Sequence, residues 1–269
     1  MKLFDREVFF DHVKSNPFDG SLTQDQVDGM DAILDAWEEE PRSDDLRWLA
    51  YPMATAAHET GMEMQPIEEY GKGEGMEYGK KDPETDQVYY GRGYVQTTWR
   101  ENYARADKEL GLMNELSCEW HAENQLDAQI AAETMFQGMV EGWFRTHDDG
   151  DPENLARYFN DDTDDPYQAR EIINGDKSKV PSWSGGVSIG NLIVGYHNDF
   201  LAALEAARLE KPEEEVEGGV SPEEGEHPPS VPIHPPVGRP AVVYVRGDAT
   251  VKVRGKVLVI LNGKPFDAA

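Results

Sequence analysis

The stretch AHETGMEMQPIEEYG, residues 57–71, contains four glutamates, and three of them, Glu59, Glu68 and Glu69, could together do chemistry. Glu59 follows an apolar run, and Glu68 and Glu69 come nine and ten residues later. Two carboxyl groups can cleave a glycosidic bond, because one protonates the leaving oxygen while the other activates a water on the opposite face. Burial keeps a proton on the acid by penalising its charged form. The pattern predicts Glu59 as the acid and an ionised Glu68 or Glu69 as the base, roughly 6.5–9.5 Å apart for inversion.

A second motif, YYGRGYVQTTWRENY at 89–103, joins a glycine-framed turn to amides, hydroxyls and aromatic rings. These groups suit a sugar site, because amides and hydroxyls pair with sugar substituents and flat rings cover apolar sugar faces. A polar strand followed by a helix start explains the same residues without a ligand. A metal site at His58 and Glu59 is not expected, because HETG lacks the second histidine that a zinc-binding helix carries.

The overall charge restricts the partners that the chain can bind. The 269 residues carry a net charge of −28, which argues against nucleic acid, since phosphate binding needs clustered Lys and Arg. Such acidity is also typical of high solubility or adaptation to salt. Cys118 is the one cysteine, so an intrachain disulfide is excluded. No apolar stretch of 18 residues occurs and the first residues lack a signal-peptide pattern, so neither membrane insertion nor signal-directed export is expected.

Composition divides the chain into three predicted parts. Helical periodicity dominates residues 1–209, including LRWLAYPMATAAHETG, which predicts a buried helix ending near Gly61. Residues 61–90 are predicted to form a long loop with short strands. Residues 210–240 contain eight Glu and eight Pro and predict an extended acidic linker.

The third part, residues 241–269, has the pattern of β-strands. Apolar residues alternate, and glycines at 247, 255 and 263 recur every eight residues, which predicts a β repeat module. A small meander with glycine turns is the alternative. Two or three strands are marginally stable alone, so the module needs the first domain or further copies of itself.

The motifs AHETG, YYGRGYVQTTWRENY and AREIING (169–175) together resemble glycoside hydrolase family 19, over roughly residues 1–205. That family contains plant-type chitinases and bacteriophage lysins that degrade peptidoglycan, and the N-terminal segment is similar to the phage branch. The resemblance implies a mainly α, lysozyme-like, two-lobed helical domain with its cleft between the lobes. It also implies an inverting mechanism that needs no metal and no cofactor.

The resemblance assigns roles position by position. Glu59 matches the general acid, Glu68 lies at the spacing of the base with Glu69 as the alternative, and Thr98 matches the hydroxyl that holds the attacking water. The predicted substrate-binding residues are Tyr90, Gln96, Asn102, Tyr103 and Asn174.

The expected function is an endolysin-type, lysozyme-like glycosidase acting on β-1,4 bonds of bacterial peptidoglycan. Chitinase is an alternative, because both polymers contain N-acetylated sugars. The eight-residue repeat resembles the trimeric β-helices of phage cell-puncturing spikes, so a homotrimer through 241–269 is expected. A tail-spike structural protein that carries a lysin domain, or a wall-binding module on a monomer, are the competing hypotheses. Without a signal peptide, the enzyme is expected to reach the periplasm from the host cytoplasm through a holin, or as part of the virion tail.

Overall fold

The computed structural model describes residues 2–209 and the backbone of three strands at 241–245, 257–261 and 264–266. The chain divides into two compact units, Met1–Pro212 and Glu213–Ala269. The predicted linker at 210–240 and the glycines at 247, 255 and 263 lie outside the described residues. The domain boundaries at 209 and 240 therefore stay predictions.

The first unit is mainly helical, which confirms the predicted fold class. Its α-helices are α1 (Arg6–Ser15), α2 (Gln24–Glu39), α3 (Arg47–Glu59), α4 (Arg100–Leu110), α5 (Ala128–Glu141), α6 (Leu155–Tyr158) and α7 (Ile189–Ala207). Short 3₁₀ helices occupy Glu77–Gly79, Asn114–Leu116, Ala122–Leu126 and Gln168–Ile172. Strands β1 (Ile67–Glu68) and β2 (Arg92–Gly93) form an antiparallel pair. No helix in the described part of the chain is long and apolar enough to cross a membrane.

Side-chain caps start several of these helices. At α2, the Thr23 hydroxyl accepts from the Gln26 N–H while the Gln26 side chain accepts from the Thr23 N–H, which satisfies two otherwise unpaired donors. The Asp5 carboxylate caps α1, and the Asp127 carboxylate caps α5. Local sequence therefore fixes where these helices begin.

Helix α3 is the centre of the main core. Residues 49–57 are all buried, as expected for a helix that is apolar on every side. Pro52 lies inside α3. Because proline has no backbone N–H, the carbonyl four residues earlier accepts no helical hydrogen bond from residue 52. Tyr51 packs against Phe159 and His197, with ring centroids 5.2 and 5.9 Å away. This packing fixes the axis of the helix that carries Glu59 at its end.

The first unit contains two separate apolar clusters. The larger cluster surrounds α3 and includes Trp37 and Phe136, whose ring centroids are 5.3 Å apart. The smaller cluster consists of Tyr89, Tyr103, Cys118, Ala122 and Ile130, with Leu112 packed against it. Two cores in one unit are consistent with a domain of two lobes. The loop that carries the second motif links the clusters, since Tyr89 belongs to one and Tyr94 to the other.

The second unit contains the predicted strands. Strands β3 (Ala241–Val245) and β4 (Val257–Leu261) pair in parallel, with Ala241 opposite Val257. Strand β5 (Lys264–Phe266) runs antiparallel to β4. Neighbouring strands of a meander are antiparallel. The parallel pairing of β3 with β4 therefore differs from the meander that was the alternative.

Candidate active site

Glu59 is the last residue of α3, where the chain reverses direction. The Gly61 N–H donates to the His58 carbonyl at 3.2 Å, and the Met62 N–H donates to the Ala57 carbonyl at 2.7 Å. This is the Schellman arrangement that ends many helices. Gly61 has φ +59°, a conformation that glycine adopts without steric cost. The helix end therefore fixes the point from which the Glu59 side chain leaves the core, close to the predicted end of the helix.

The turn after Glu59 is held from inside the protein. The buried Thr60 hydroxyl donates to the Ala56 carbonyl at 2.8 Å and accepts from the Met64 N–H at 3.0 Å. Gly29 of α2 lies so close to this turn that an added Cβ would fall 1.6 Å from the Met64 carbonyl oxygen. Helices α2 and α3 together determine how the chain continues from Glu59 toward Glu68.

A buried arginine holds the Glu59 carboxylate. Arg170 donates from Nη1 to Glu59 Oε1 at 2.5 Å and from Nε to Asp176 Oδ1 at 2.7 Å. The Arg170 side chain is 2% exposed and that of Glu59 is 16% exposed. Burial by itself would lower the pKa of Arg170, but the two carboxylates outweigh burial and raise it. Arg170 is therefore a permanent cation directly behind the candidate acid.

This surrounding differs from the one expected for Glu59. Burial against apolar side chains was expected from the sequence, whereas the carboxylate faces a guanidinium group. The neighbouring His58 is neutral near pH 7, because burial lowers its pKa, an effect that the nearby Glu59 charge only partly opposes. The only full positive charge paired with Glu59 among the described residues is thus Arg170.

Glu68 is positioned by the β1–β2 pair. Its strand partner is Arg92, whose Nε lies 3.8 Å from Glu68 Oε1. Lys72 donates to Glu68 Oε2 at 2.7 Å, and the Tyr90 hydroxyl donates to Oε1. The hydrogen bonds from Lys72 and Tyr90 lower the pKa of Glu68, so Glu68 is ionised at neutral pH. A partly exposed, ionised carboxylate is what a base needs in order to take a proton from water.

Glu69 is engaged in the structure of the loop instead. Its N–H donates to the Gly91 carbonyl at 2.7 Å. Its carboxylate accepts from the Gly91 N–H at 3.1 Å and from the Tyr78 hydroxyl at 3.3 Å. These contacts connect the loop at 61–90 to the second motif. They favour Glu68 over Glu69 as the base, and the choice between the two stays a prediction.

The second motif forms a tight loop braced by its own polar side chains. Thr98 Oγ1 donates to the Gln96 carbonyl at 2.8 Å, and Asn102 Nδ2 donates to the Thr98 carbonyl at 2.8 Å. Gln96 Nε2 donates to the Ile67 carbonyl at 3.2 Å, one residue before Glu68. Gln96 also has φ +56°, an uncommon conformation that is typical of functional loops. Part of the hydrogen-bonding capacity of these predicted ligands therefore positions the loop beside Glu68.

Tyr90 and Tyr103, both predicted to bind substrate, are both buried. The Tyr103 side chain is fully buried, and its hydroxyl donates to the Tyr90 carbonyl at 2.7 Å. Direct contact between Tyr103 and a substrate is excluded in this structure, so that prediction is corrected to a positioning role. Tyr90 is 7% exposed. The Arg92 guanidinium lies 3.7 Å from the centre of the Tyr90 ring, and the Tyr90 hydroxyl orients Glu68.

Asn174 belongs to the other side of the candidate site. It is exposed and its N–H donates to the Arg170 carbonyl at 2.9 Å, which places it beside the Glu59–Arg170 pair. The residues predicted from the sequence do not include Arg170, Asp176 or Lys72. Arg170 lies within the AREIING motif, and Lys72 follows Glu68 by four residues, so both had a detectable signal.

The site residues thus form two groups. Glu68, Tyr90, Gln96, Thr98 and Asn102 belong to one network around β1, β2 and the second motif. Glu59, Arg170, Asp176 and Asn174 form the other network, at the end of α3 and the 3₁₀ helix Gln168–Ile172. No hydrogen bond or ion pair joins the two networks within residues 2–209. The turn at 60–66 connects them along the chain.

A cavity of about 530 Å³ lies elsewhere, between α3 and α7. Its lining includes Asp45, Arg47, Asp164 and Arg208, but none of the predicted site residues. Arg47 is already paired there, with Asp45 at 2.6 Å and with Asp164 at 3.6 Å. The cavity therefore lies apart from the Glu59–Glu68 region, and its central arginine is held by two carboxylates.

No protein-family model and no curated protein matches the sequence. Several solved structures are similar to the chain. Chitinase C from Streptomyces griseus is 18% identical with a TM-score of 0.49, covering 76% of this chain and 93% of that one. A bacterial family 19 chitinase is 20% identical with a TM-score of 0.46, covering 75% and 94%. A class IV family 19 chitinase from Zea mays is 19% identical with a TM-score of 0.43, covering 74% and 91%. At these values the likeness assigns no activity.

Proposed function

We propose that the first unit is a glycoside hydrolase that cleaves β-1,4 bonds between N-acetylated sugars with inversion. Glu59 is the general acid and Glu68 is the general base. The observation that carries this proposal is that two hydrogen-bonded networks, connected along the chain by the turn at 60–66, each hold one of the two carboxylates. Glu59 is held by one buried cation at a helix end, whereas Glu68 is more exposed and is kept ionised by Lys72 and Tyr90. The ionised Glu68 suits the base, and Glu59 is assigned the role of the acid from its position in the motif AHETG.

In the proposed reaction the sugar chain lies between the two networks. Glu59 donates its proton to the glycosidic oxygen as the bond from that oxygen to the anomeric carbon breaks. A water on the opposite face forms the new bond to the anomeric carbon and loses a proton to Glu68. Arg170 stabilises the carboxylate that Glu59 becomes. Thr98 accepts a hydrogen bond from the water, because its own hydroxyl proton is already directed to the Gln96 carbonyl.

Bacterial peptidoglycan is the substrate that we favour, which would make the protein an endolysin-type, lysozyme-like enzyme. The resemblance of the N-terminal segment to phage lysins supports this choice. Chitin is the alternative, because its sugars are also N-acetylated and β-1,4-linked. Neither nucleic acid nor a membrane is an expected partner.

A second candidate role is that of a virion tail component that carries the lysin and trimerises through 241–269. The parallel pairing of β3 with β4 places residues 16 positions apart opposite each other, as Ala241 and Val257. Sixteen is twice the eight-residue glycine spacing, so the register agrees with the repeat. Light scattering after size exclusion tests this role, with a trimer expected and a monomer at micromolar concentration contradicting it.

Wall clearing by the wild type and by Glu59→Gln tests the enzymatic proposal. The substitution keeps the shape of the side chain but removes the proton donor. We expect a rate loss of about 10²–10⁴-fold, the usual contribution of general acid catalysis. Glu63→Gln, at an exposed glutamate in the following turn, is the matched control and should clear walls at the wild-type rate. Equal clearing by wild type and Glu59→Gln would remove the basis of the proposal.

A further inference from the structure

Three charged side chains form a cluster beside the Glu59 network. The Glu171 carboxylate lies between two cations, with Arg145 Nη2 at 3.0 Å from Oε2 and Lys177 Nζ at 2.5 Å from Oε1. The cluster therefore has a net charge of +1, in a chain whose total is −28. The adjacent Glu59–Arg170–Asp176 network has a net charge of −1, so anion binding here depends on the directed donors of the two cations.

The cluster is adjacent to the candidate acid through the AREIING segment. Arg170 and Glu171 are consecutive residues with different partners. Arg170 binds Glu59, and Glu171 binds the two cations of the cluster. Arg145 also lies against Gly175, where an added Cβ would fall 2.4 Å from Nη1. A side chain at 175 would require the end of the Arg145 side chain to shift. The guanidinium therefore lies against the backbone that follows the exposed Asn174.

Both cations keep hydrogen-bonding capacity toward solvent. A guanidinium carries five N–H donors, and within residues 2–209 Glu171 is the only acid that pairs with Arg145. The side chains of Arg145 and Lys177 are 35% and 24% exposed. The Lys177 carbonyl accepts a hydrogen bond from the Gly190 N–H at 2.9 Å. This bond ties the start of the loop after Lys177 to helix α7. The two donors are therefore presented at fixed positions.

We propose that Arg145 and Lys177, positioned by Glu171, bind a carboxylate of the substrate and so select peptidoglycan over chitin. The inference rests on the proposed function and names the substrate class of the same site. Chitin is a neutral polymer, whereas peptidoglycan carries carboxylates on its lactyl groups and stem peptides. Arginine suits such a group, because its planar donors match a carboxylate and its charge strengthens the hydrogen bonds. The competing explanation is that the cluster only ties the segment after α5 to the AREIING loop.

Calorimetric binding of two soluble probes distinguishes these explanations. The probes are a purified disaccharide-peptide from peptidoglycan and a neutral chitin tetramer. For Arg145→Gln and for Lys177→Gln we expect about 10-fold weaker binding of the anionic probe, the usual value of a hydrogen bond to a charged group, and unchanged binding of chitin. Lys108→Gln, at an exposed lysine of α4 paired with Glu109, is the matched control. Lys177→Gln serves as the second variant if Arg145→Gln loses its fold.

The outcomes separate this inference from the proposed function. Equal weakening of both probes means a structural role only, and no weakening means no contact, so either result overturns the inference. Failure of the wild type to bind the anionic probe overturns it as well. If the wild type binds the anionic probe through Arg145 and Lys177 but cleaves neither polymer, the selection of a carboxylate stands and the hydrolase proposal fails.

Discussion

Arg170 reaches Glu59 across 111 positions of sequence and donates to its carboxylate at 2.5 Å from the buried side. The same guanidinium binds Asp176 at 2.7 Å. One buried cation therefore fixes the end of α3 to the AREIING loop. In the proposed reaction this cation lies behind the acid and faces the charge that develops when the proton leaves.

Replacing Arg170 with methionine is expected to affect both folding and rate. The change leaves Glu59 and Asp176 without their cation, and removing one partner of a buried pair costs about 3 kcal/mol or more. Arg170→Lys keeps the charge but loses the planar fork that serves two carboxylates, so an intermediate loss is expected. Urea denaturation with kinetics on both variants measures this. Wild-type stability in Arg170→Met would show that the pair contributes nothing.

The pH dependence of the rate should report the contacts of Glu68. Lys72 and Tyr90 lower the pKa of Glu68, so removing either contact raises it. A base works only when it is deprotonated, so the acid limb of the kcat/KM profile should move to higher pH in Lys72→Met and in Tyr90→Phe. Lys81→Met, at an exposed lysine paired with Asp86, is the control. An acid limb that stays in place in both variants would exclude Glu68 as the base.

Gly29 and Gly195 give opposite predictions for the same substitution. Alanine normally stabilises a helix interior by about 1 kcal/mol relative to glycine. At Gly195 of α7 an added Cβ meets nothing within 4 Å, so Gly195→Ala should stabilise the fold. At Gly29 the Cβ would meet the Met64 carbonyl oxygen, so Gly29→Ala should destabilise the fold and shift the turn after Glu59. Melting temperatures with activity assays test this, and a more stable, fully active Gly29→Ala would contradict it.

We expect protonation of the buried His197 to lower the free energy of unfolding at acidic pH. His197 is 1% exposed and stacks on Phe159 at 5.3 Å, and burial lowers its pKa to about 4. Asp45 and Asp164 oppose this shift, whereas Arg47 adds to it. Because the folded state disfavours the proton, the contribution of neutral His197 is complete above pH 6.5, the ordinary histidine pKa. It is lost as the pH falls toward 4, amounting to about 2–3 kcal/mol.

Urea denaturation of wild type and His197→Phe at pH 7 and pH 4.5 measures this loss. The difference in stability between the two proteins should change in favour of the variant at the lower pH. The remaining carboxylates are common to both proteins, so their protonation cancels in the comparison. A difference that does not change with pH would mean that His197 does not titrate in this range.

Local signals in the sequence predicted the helical elements well. The end of α3 near Gly61 and the apolar run of the same helix each depend on neighbours within a few residues. The sequence could not predict the pairing of Glu59 with Arg170, because the two residues meet only through tertiary packing. It also misassigned Tyr103, since an aromatic residue in a polar motif fits a sugar site and a small apolar cluster equally well.

The anomeric form of the first product tests the pairing of Glu59 and Glu68 most directly. Proton NMR during cleavage of a β-1,4-linked N-acetylated oligosaccharide, with wild type, Glu59→Gln and Glu68→Gln, separates the two carboxylates by their roles. We predict that the wild type releases the α-anomer first and that each variant loses at least about 10²-fold in rate. Initial release of the β-anomer, or a Glu68→Gln enzyme as fast as the wild type, would contradict it.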